Sequence, residues 1–129
     1  MRVLIADDSS VIVQRLTDLV EGVPGVRVVA QASDVPRAID CILEVKPDAV
    51  ILDLQMPGGS GLDVLRIVRL RQPAIRVLVC TNYAYDQYRE ECINAGAYSF
   101  LDKSSDFEKI PEILRALAKE QTKPAPIKE

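Results

Sequence analysis

Acidic residues and one lysine stand at the ends of short apolar runs. Asp7 and Asp8 follow one run, Asp53 follows another, and Lys103 lies beyond a third, after Asp102. Short apolar runs bounded by polar residues are typical of buried strands, and adjacent strands of a parallel sheet end on the same edge. Three carboxylates gathered there would repel one another unless a hard cation lay among them, and Mg2+ prefers oxygen ligands. The pattern therefore predicts a magnesium site.

Composition limits the classes of protein that this chain can belong to. Its 129 residues with 48% apolar content predict one domain with one core. The net charge of −3 and the scattered lysines and arginines argue against a nucleic-acid partner. No apolar run is long enough to span a bilayer and no secretory signal is visible, so we expect a cytoplasmic protein without a direct membrane partner.

The cysteines and the missing histidine restrict the chemistry further. Cys41, Cys80 and Cys92 have no Cys-x-x-Cys spacing, and we interpret them as small buried hydrophobes in a reducing compartment. The chain has no histidine, which excludes Ser-His-Asp and Cys-His catalysis and the commonest transition-metal ligand. Any chemistry is therefore expected from carboxylates.

Apolar runs alternate with amphipathic segments five times, which predicts βα units and a parallel sheet. The second strand is expected near an edge because its run is less apolar. The predicted strands cover residues 3–6, 26–30, 49–52, 75–80 and 98–101.

Glycines, prolines and capping residues predict where the helices begin and end. Gly22, Pro47 and Pro73 are expected to stop the first three helices. Ser33-Asp34 and Ser104-Ser105-Asp106 are predicted N-caps. Residues 1–120 are predicted to form one domain, and residues 121–129, which contain Pro124 and Pro126, a flexible tail or the start of a linker.

Several motifs together resemble the receiver domain of bacterial two-component response regulators, over residues 1–120. The order and placement of these motifs at successive strand ends make the combination specific. They are Asp7-Asp8, Asp53 within the loop motif of residues 52–61, Thr81 after the fourth strand, and Ala95-Gly96-Ala97 before Phe100-Leu101-Asp102-Lys103. The resemblance, to single-domain chemotaxis regulators above all, implies a doubly wound, flavodoxin-like α/β fold. Five parallel strands in the order 2-1-3-4-5 would carry five helices.

The resemblance also implies a phosphoryl-transfer site. Asp53 would accept a phosphoryl group from a sensor histidine kinase, a phosphotransfer protein or a small phosphodonor. A carboxylate attacks an anionic phosphoryl group poorly, so a cation must neutralise charge. Asp8 and Asp53 would bind Mg2+ directly, Asp7 directly or through water, and the backbone carbonyl of Gln55 would complete the protein ligands. Lys103 would contact the phosphoryl oxygens.

Four further residues would switch or tune the site. Thr81 would donate its hydroxyl to the phosphoryl group and move inward, and Phe100 would either turn inward with it or remain an ordinary core residue. Gln55 and Tyr83 would tune the phosphorylated lifetime. The Tyr83 ring would either lean over Asp53 and hinder the attacking water or lie exposed in a loop. Ser104 follows Lys103 where most receivers have proline.

The resemblance places the partner surface on the fourth helix, the fifth strand and the fifth helix. Tyr85 and Tyr88 are predicted in that helix, where exposed tyrosines favour a protein interface. Tyr88 is expected to pack inward with Cys92 and Ile93 more readily than Tyr85 does. The expected partners are a kinase or phosphotransfer protein and a downstream protein target, and the sequence leaves a homodimer open.

Three functions remain at this level. The first is a phosphorylation-dependent signalling switch, acting as a stand-alone receiver that is no enzyme beyond assisting its own phosphotransfer and autodephosphorylation. The second is a constitutive interaction scaffold that is never phosphorylated, which would not need mutually repelling buried acids. The third is a phosphatase with an aspartyl phosphate, which needs a second acid two residues after the nucleophile, where Gln55 stands. The sequence leaves open whether an output domain belongs to the protein.

Overall fold

The computed structural model describes residues 1–122. Five parallel strands form the main sheet, and a separate short antiparallel hairpin follows the third of them along the chain. In chain order the strands are β1 (Arg2–Ala6), β2 (Arg27–Ala32), β3 (Ala49–Leu52), β4 (Gln55–Met56), β5 (Gly59–Ser60), β6 (Arg76–Thr81) and β7 (Ser99–Asp102). The main sheet has the order β2-β1-β3-β6-β7 and the hairpin pairs β4 with β5. The predicted order, 2-1-3-4-5 in the main sheet, is confirmed.

Five helices cover both faces of the sheet, as predicted. They are α1 (Ser10–Glu21), α2 (Val35–Val45), α3 (Gly61–Arg71), α4 (Asp86–Asn94) and α5 (Lys109–Thr122). One core lies under α2, α3 and α4, and the other under α1 and α5. Helix α5 runs two residues past the predicted domain boundary at residue 120, and residues 123–129, the rest of the predicted tail, lie outside the described residues.

The pattern of burial explains why the strands were recognisable. All residues of β3 are buried, as are four of the five in β1, since helices cover both faces of a doubly wound sheet. Strand β2 lies at the predicted edge and buries only its last residue. Strands β2, β6 and β7 begin one residue later than predicted, and β2 continues to Ala32.

Side-chain caps define the beginnings of three helices. The hydroxyls of Ser9 and Ser60 accept hydrogen bonds from first-turn backbone N–H groups of α1 and α3. Asp34 caps α2 as predicted, because its Oδ1 accepts from the Arg37 N–H at 2.8 Å. Gly22 lies at the C-terminal cap of α1. As the sequence predicted, the first three helices end before their expected stop residues, which are Gly22, Pro47 and Pro73.

Three local predictions are wrong. Ser104-Ser105-Asp106 does not cap α5, which begins only at Lys109, because the buried Phe107 occupies a turn ahead of the helix. Tyr85 precedes α4 and adopts an extended backbone conformation. Ile93 is 47% exposed rather than packed inward, whereas Tyr88 and Cys92 do pack against the core. Position on the short α4 decides this, since only a narrow stripe of the helix faces the sheet.

The cysteines follow the prediction with one exception. Cys80 and Cys92 are each 1% exposed, and burial raises the pKa of the Cys80 thiol to about 12. Cys41 on α2 is only half-buried. All three thiols are free, so none of them forms a disulfide and the two buried ones act as small core residues.

Candidate functional site

The strand pairing of the sheet brings the predicted site residues together. Hydrogen bonding continues one residue past the strands: Asp53 N–H donates to the Ala6 carbonyl at 2.9 Å, and Lys103 N–H donates to the Thr81 carbonyl at 2.9 Å. Asp7 N–H donates to the β2 residue Ala32 at 3.0 Å. The acids and the lysine therefore leave the sheet at the same edge, next to the point where the chain order reverses between β1 and β3.

Three carboxylates converge at this edge. Asp7, Asp8 and Asp53 each offer one oxygen, and these oxygens all lie within 4.8 Å of one another. Asp7 and Asp53 are buried, whereas Asp8 is exposed, which leaves the cluster open to solvent on one side. A set of carboxylate oxygens with an open side suits Mg2+, which keeps several of its waters. These side chains therefore fit the predicted metal.

Gly61 allows helix α3 to pack closely against the loop that carries Asp53. A Cβ at Gly61 would collide with the backbone carbonyl of Asp53 and with the backbone of Leu54. The Gly61 N–H donates to the Leu54 carbonyl at 3.0 Å. The first residue of α3 can therefore lie against the loop that carries Asp53 only because it has no side chain.

Lys103 compensates the buried negative charge. Its Nζ lies 2.6 Å from Asp7 Oδ2 and 3.1 Å from Asp53 Oδ2, and its side chain is only 6% exposed. Burial by itself would lower the pKa of Lys103, but the hydrogen bond to Asp7 and the charges of both acids outweigh it and raise that pKa. The lysine is therefore held as a cation between two carboxylates.

The pKa of Asp53 is also set by burial and by neighbouring charges. Burial raises the pKa of Asp53 above its usual value of 3.8, and Asp7 adds to the increase. The Lys103 charge and the Gln55 N–H, which donates to Asp53 Oδ1 at 3.2 Å, oppose this shift without cancelling it. One cation shared by two buried acids leaves Asp53 incompletely compensated, so the carboxylate is poised to gain a further cation.

Thr81 and Phe100 lie on neighbouring strands behind the pocket. Thr81 ends β6 and is fully buried, and its hydroxyl oxygen accepts from the Tyr83 N–H at 3.0 Å. Phe100 is 4% exposed and belongs to the core under α4. The Arg89 guanidinium of α4 lies 4.9 Å from the centre of the Phe100 ring and donates to the Phe100 carbonyl at 3.4 Å.

The two predicted tuning residues line a common cavity. This cavity of about 190 Å³ lies between the Asp53 loop and α4, and Gln55, Tyr83, Tyr88 and Cys92 are among its lining residues. Tyr83 is 43% exposed, and its ring centre is 6.4 Å from that of Tyr85. The exposure of Tyr83 agrees with the predicted loop position, and its shielding of Asp53 from water stays a prediction.

The sequence-based prediction missed two other features around the site. One is Arg89, whose contact with Phe100 needs the packing of α4 on β7 to be known. The other is a set of hydrogen bonds around Lys103 made by Asp102, Ser104 and Asp106. Short polar side chains at alternate positions beside the lysine were a usable signal, because such residues often hydrogen-bond to the backbone of their own loop. No cis peptide bond occurs in residues 1–122, so the Lys103–Ser104 bond is trans.

The fold and the pocket define a class of small doubly wound α/β domains that bind their ligand at the carboxyl ends of the strands. Residues 3–115 match the family described as the response regulator receiver domain, and the chain belongs to that family. As a receiver domain it is a signalling module of the two-component type, and receiver domains bind Mg2+ at an acidic pocket. The family resemblance seen in the sequence is confirmed.

Individual relatives agree with this assignment. The nitrate/nitrite response regulator protein NarP of Escherichia coli is 36% identical over 118 residues, which are 92% of this chain and 55% of NarP. The response regulator GacA of Pseudomonas aeruginosa is 30% identical over 89% of this chain and 54% of GacA. The chain thus spans about half the length of these curated relatives.

Solved structures show the same fold. One chain of the crystal structure of the CheX-CheY-BeF3-Mg+2 complex from Borrelia burgdorferi superposes with a TM-score of 0.84 and 26% identity, over 92% of this chain and 90% of that chain.

Within residues 1–122, no helix is both long and apolar enough to cross a membrane.

Proposed function

We propose that this receiver domain is a phosphorylation-dependent switch in which Asp53 accepts a phosphoryl group from a sensor histidine kinase or a phosphotransfer protein. The observation that carries the proposal is the convergence of three carboxylates and Lys103 at one sheet edge. Mg2+ held by Asp7, Asp8, Asp53 and the Gln55 carbonyl would neutralise charge on the phosphoryl oxygens. The carbonyl of Gln55 is proposed from the family pattern.

Each residue of the pocket has a defined part in the transfer. An oxygen of the Asp53 carboxylate attacks phosphorus, the new O–P bond forms, and the bond to the donor's leaving group breaks with its electron pair. Before the transfer, Lys103 Nζ lies 3.1 Å from Asp53 Oδ2. After it, the ammonium group would pair with the negatively charged phosphoryl oxygens. Thr81 accepts a hydrogen bond at its hydroxyl oxygen, so its own proton is available to a phosphoryl oxygen.

The switch would be read on the surface formed by α4, β7 and α5. Movement of the Thr81 hydroxyl toward the phosphoryl group would break its bond with the Tyr83 N–H and draw the start of α4. Phe100 and its Arg89 contact connect the same helix to β7. A downstream protein partner or a second copy of the chain would then bind one arrangement of this surface better than the other.

The proposed function concerns the receiver domain itself. The relatives are about twice as long as the stretch that matches here, so the activity and partners of the whole protein are proposals. The cytoplasmic location and the division of the chain at residue 120 stay predictions. No described feature favours the scaffold over the switch, and a phosphorylation assay separates them.

Intact-mass measurement with acetyl phosphate and Mg2+ tests the proposal. We expect the wild type to gain one phosphoryl group, and the gain to disappear in EDTA because Lys103 alone would then have to compensate the charge of three acids and the phosphoryl group. Asp53→Asn should gain none. Asp40→Asn, which changes an exposed acid of α2, is the matched control and should behave as the wild type does.

Two outcomes would contradict the proposal. A wild type that stays unmodified while its circular dichroism shows an intact fold would favour the constitutive scaffold. Equal phosphorylation of Asp53→Asn would show that another residue is the acceptor. Peptide mapping after borohydride reduction of the acyl phosphate would then identify that residue.

A further inference from the structure

The backbone on both sides of Lys103 is held by side chains. Before the lysine, the Asp102 N–H donates to Asp106 Oδ2 at 2.8 Å. After it, the N–H and the hydroxyl of Ser104 both donate to Asp102 Oδ1, at 2.8 and 2.6 Å. The residues on either side of Lys103 are therefore each tied to a carboxylate through their N–H groups.

The open edge of the sheet explains the first of these bonds. Strand β7 is the last strand of the sheet and pairs only with β6. Leu101 and Lys103 direct their N–H groups toward β6, as the bond from Lys103 N–H to the Thr81 carbonyl shows. The alternating Asp102 N–H therefore points away from the sheet, where no strand can accept it. Asp106 supplies the missing acceptor.

Asp106 is itself held in place. Its own N–H donates to the Asp102 carbonyl at 2.8 Å, and its Oδ1 lies 3.0 Å from Lys109 Nζ. Its side chain is only 13% exposed. Hydrogen bonds with Ser104 lower the pKa of Asp102, and those with Asp102 and Lys109 lower the pKa of Asp106. The loop is closed by carboxylates that stay ionised, and the buried Phe107 anchors its far end.

This arrangement stands where most receivers would have a proline after the lysine. A proline limits the backbone of its own residue and of the residue before it, and Ser104 cannot do so. We propose that Asp106, acting together with Asp102, is the positioning residue that holds Lys103 against the acceptor site. This inference rests on the proposed function, because the position of Lys103 matters only if its ammonium serves the phosphoryl transfer.

The role proposed for Lys103 requires a precise position of its ammonium group. Its Nζ reaches two carboxylates at 2.6 and 3.1 Å, and a displacement of about 1 Å at a reacting site can cost about a hundredfold in rate. Without Asp106, the Asp102 N–H can turn to water and the chain around Lys103 gains freedom. The expected loss is smaller than in a Lys103 variant, because the bond from Lys103 N–H to Thr81 and the two ion pairs remain.

The test compares Asp106→Ala with Asp106→Asn and with Glu108→Ala in the full chain. The Asn side chain keeps an oxygen that can accept the Asp102 N–H. Glu108 is exposed in the same loop and makes no described side-chain hydrogen bond or ion pair. Two readouts are measured: the initial rate of phosphorylation by acetyl phosphate at saturating Mg2+, and the NMR signal of the Lys103 ammonium group, assigned with Lys103→Arg.

We expect Asp106→Ala to slow phosphorylation about tenfold and to shift or broaden the Lys103 ammonium signal. Asp106→Asn should recover most of the rate, and Glu108→Ala should match the wild type in both readouts. The Mg2+ affinity, followed by titration of backbone signals, should stay within about twofold, because the three acids are unchanged. Urea unfolding of each variant separates these effects from loss of the folded protein.

The proposal is overturned if the Lys103 signal of Asp106→Ala equals that of Glu108→Ala, or if the rate falls only in proportion to the unfolded fraction. If Asp106→Ala does not fold, Ser104→Ala, which removes only one of the bonds to Asp102, replaces it and should slow the reaction about twofold. A wild type that is never phosphorylated would refute the proposed function, whereas the ammonium signal would still decide whether Asp106 positions Lys103.

Discussion

The acidic pocket and helix α4 lie next to each other at the carboxyl edge of the sheet, and they are held by different forces. In the pocket, Asp7, Asp53 and Lys103 are each at most 9% exposed and are joined by short ionic contacts. Helix α4 buries only Cys92 of its nine residues, and Tyr85 at its N-terminal cap provides no capping hydrogen bond.

This contrast indicates which part can move. Buried charges in close contact leave few alternative arrangements, since each must keep its partners. A short helix with little buried apolar surface opens at a smaller free-energy cost. Arg89, through its contacts with Phe100, is the described polar link between α4 and β7. In the proposed switch, the pocket would therefore be the rigid part that binds the phosphoryl group, and α4 the part that moves in response.

Removing the cation of the pocket should have the largest effect. Lys103→Met would leave two buried acids without their partner and should lower the free energy of unfolding by about 3 kcal/mol at pH 7 in EDTA. Added Mg2+ should restore part of this loss, because it supplies charge at the same carboxylates. Urea unfolding measures both effects.

The control for this prediction is Arg37→Met. It removes the exposed ion pair of Arg37 with Asp34 on α2 and should cost at most about 0.5 kcal/mol. Similar losses in the two variants would show that the pocket does not depend on its buried charges, and the contrast with α4 would fail.

The excess of negative charge in the pocket should appear as a pH dependence. Because the folded pKa of Asp53 is raised above 3.8, the folded protein holds this proton more tightly than the unfolded chain. The corresponding stability is fully present below pH 3.8 and is lost as the pH rises through the folded pKa. Asp53→Asn should therefore be about 1 to 2 kcal/mol more stable than the wild type at pH 7 without Mg2+.

Urea unfolding between pH 3 and pH 8 tests this difference. The two curves should converge at the acidic end, where both proteins carry a neutral group at residue 53. Mg2+ should narrow the gap at pH 7, because it binds the wild type better than the variant. A wild type that is more stable than Asp53→Asn at pH 7 in EDTA would mean that Lys103 fully compensates both acids.

Loss of the arginine contact should affect α4 more than the pocket. Arg89→Ala should lower the free energy of unfolding by about 1 kcal/mol, because a cation–π contact and a weak hydrogen bond disappear. Amide hydrogen exchange in α4 should become about fivefold faster. The amides of α2, which buries Val35, Ala38 and Ile42, are the internal control, and equal acceleration in both helices would refute a local role.

The smallest predicted effect concerns Tyr83, which lies between the acidic pocket and α4. Tyr83→Ala would open the cavity beside Gln55 and give water an easier path to a phosphorylated Asp53. We expect autodephosphorylation to become about threefold faster, a barrier change of about 0.7 kcal/mol. Tyr98→Ala, which alters another exposed tyrosine directly before β7, should leave the rate unchanged. A lifetime equal to that of the wild type would show that Tyr83 is only a surface residue.

The fold was largely predictable because its elements carry strong local signals. The four-residue run before Asp53 is buried on both faces of the sheet and is bordered by turn residues, so both its type and its end were visible. The start of α5 was missed because Ser104, Ser105 and Asp106 satisfy the capping pattern but close a turn instead. Capping residues indicate that the chain changes direction more reliably than they indicate that a helix begins there.

The site residues were predictable by type and their relations were not. Asp7, Asp8, Asp53 and Lys103 follow from strand ends and family motifs. That Lys103 lies nearer to Asp7 than to Asp53 depends on side-chain directions at the ends of three strands. The contact of Arg89 with Phe100 depends on how α4 packs on β7.

The sequence by itself determined the α/β class, the parallel order of the sheet through its family motifs, and the acids that gather at one edge. These properties follow from hydrophobic periodicity and from residues at strand ends, which act locally. The tertiary structure alone decided how one lysine is shared between two buried carboxylates, how Asp106 accepts the outward N–H of β7, and how loosely α4 is attached. Those features depend on distances between segments far apart in the chain or on which backbone groups the sheet leaves unpaired, and only packing sets them.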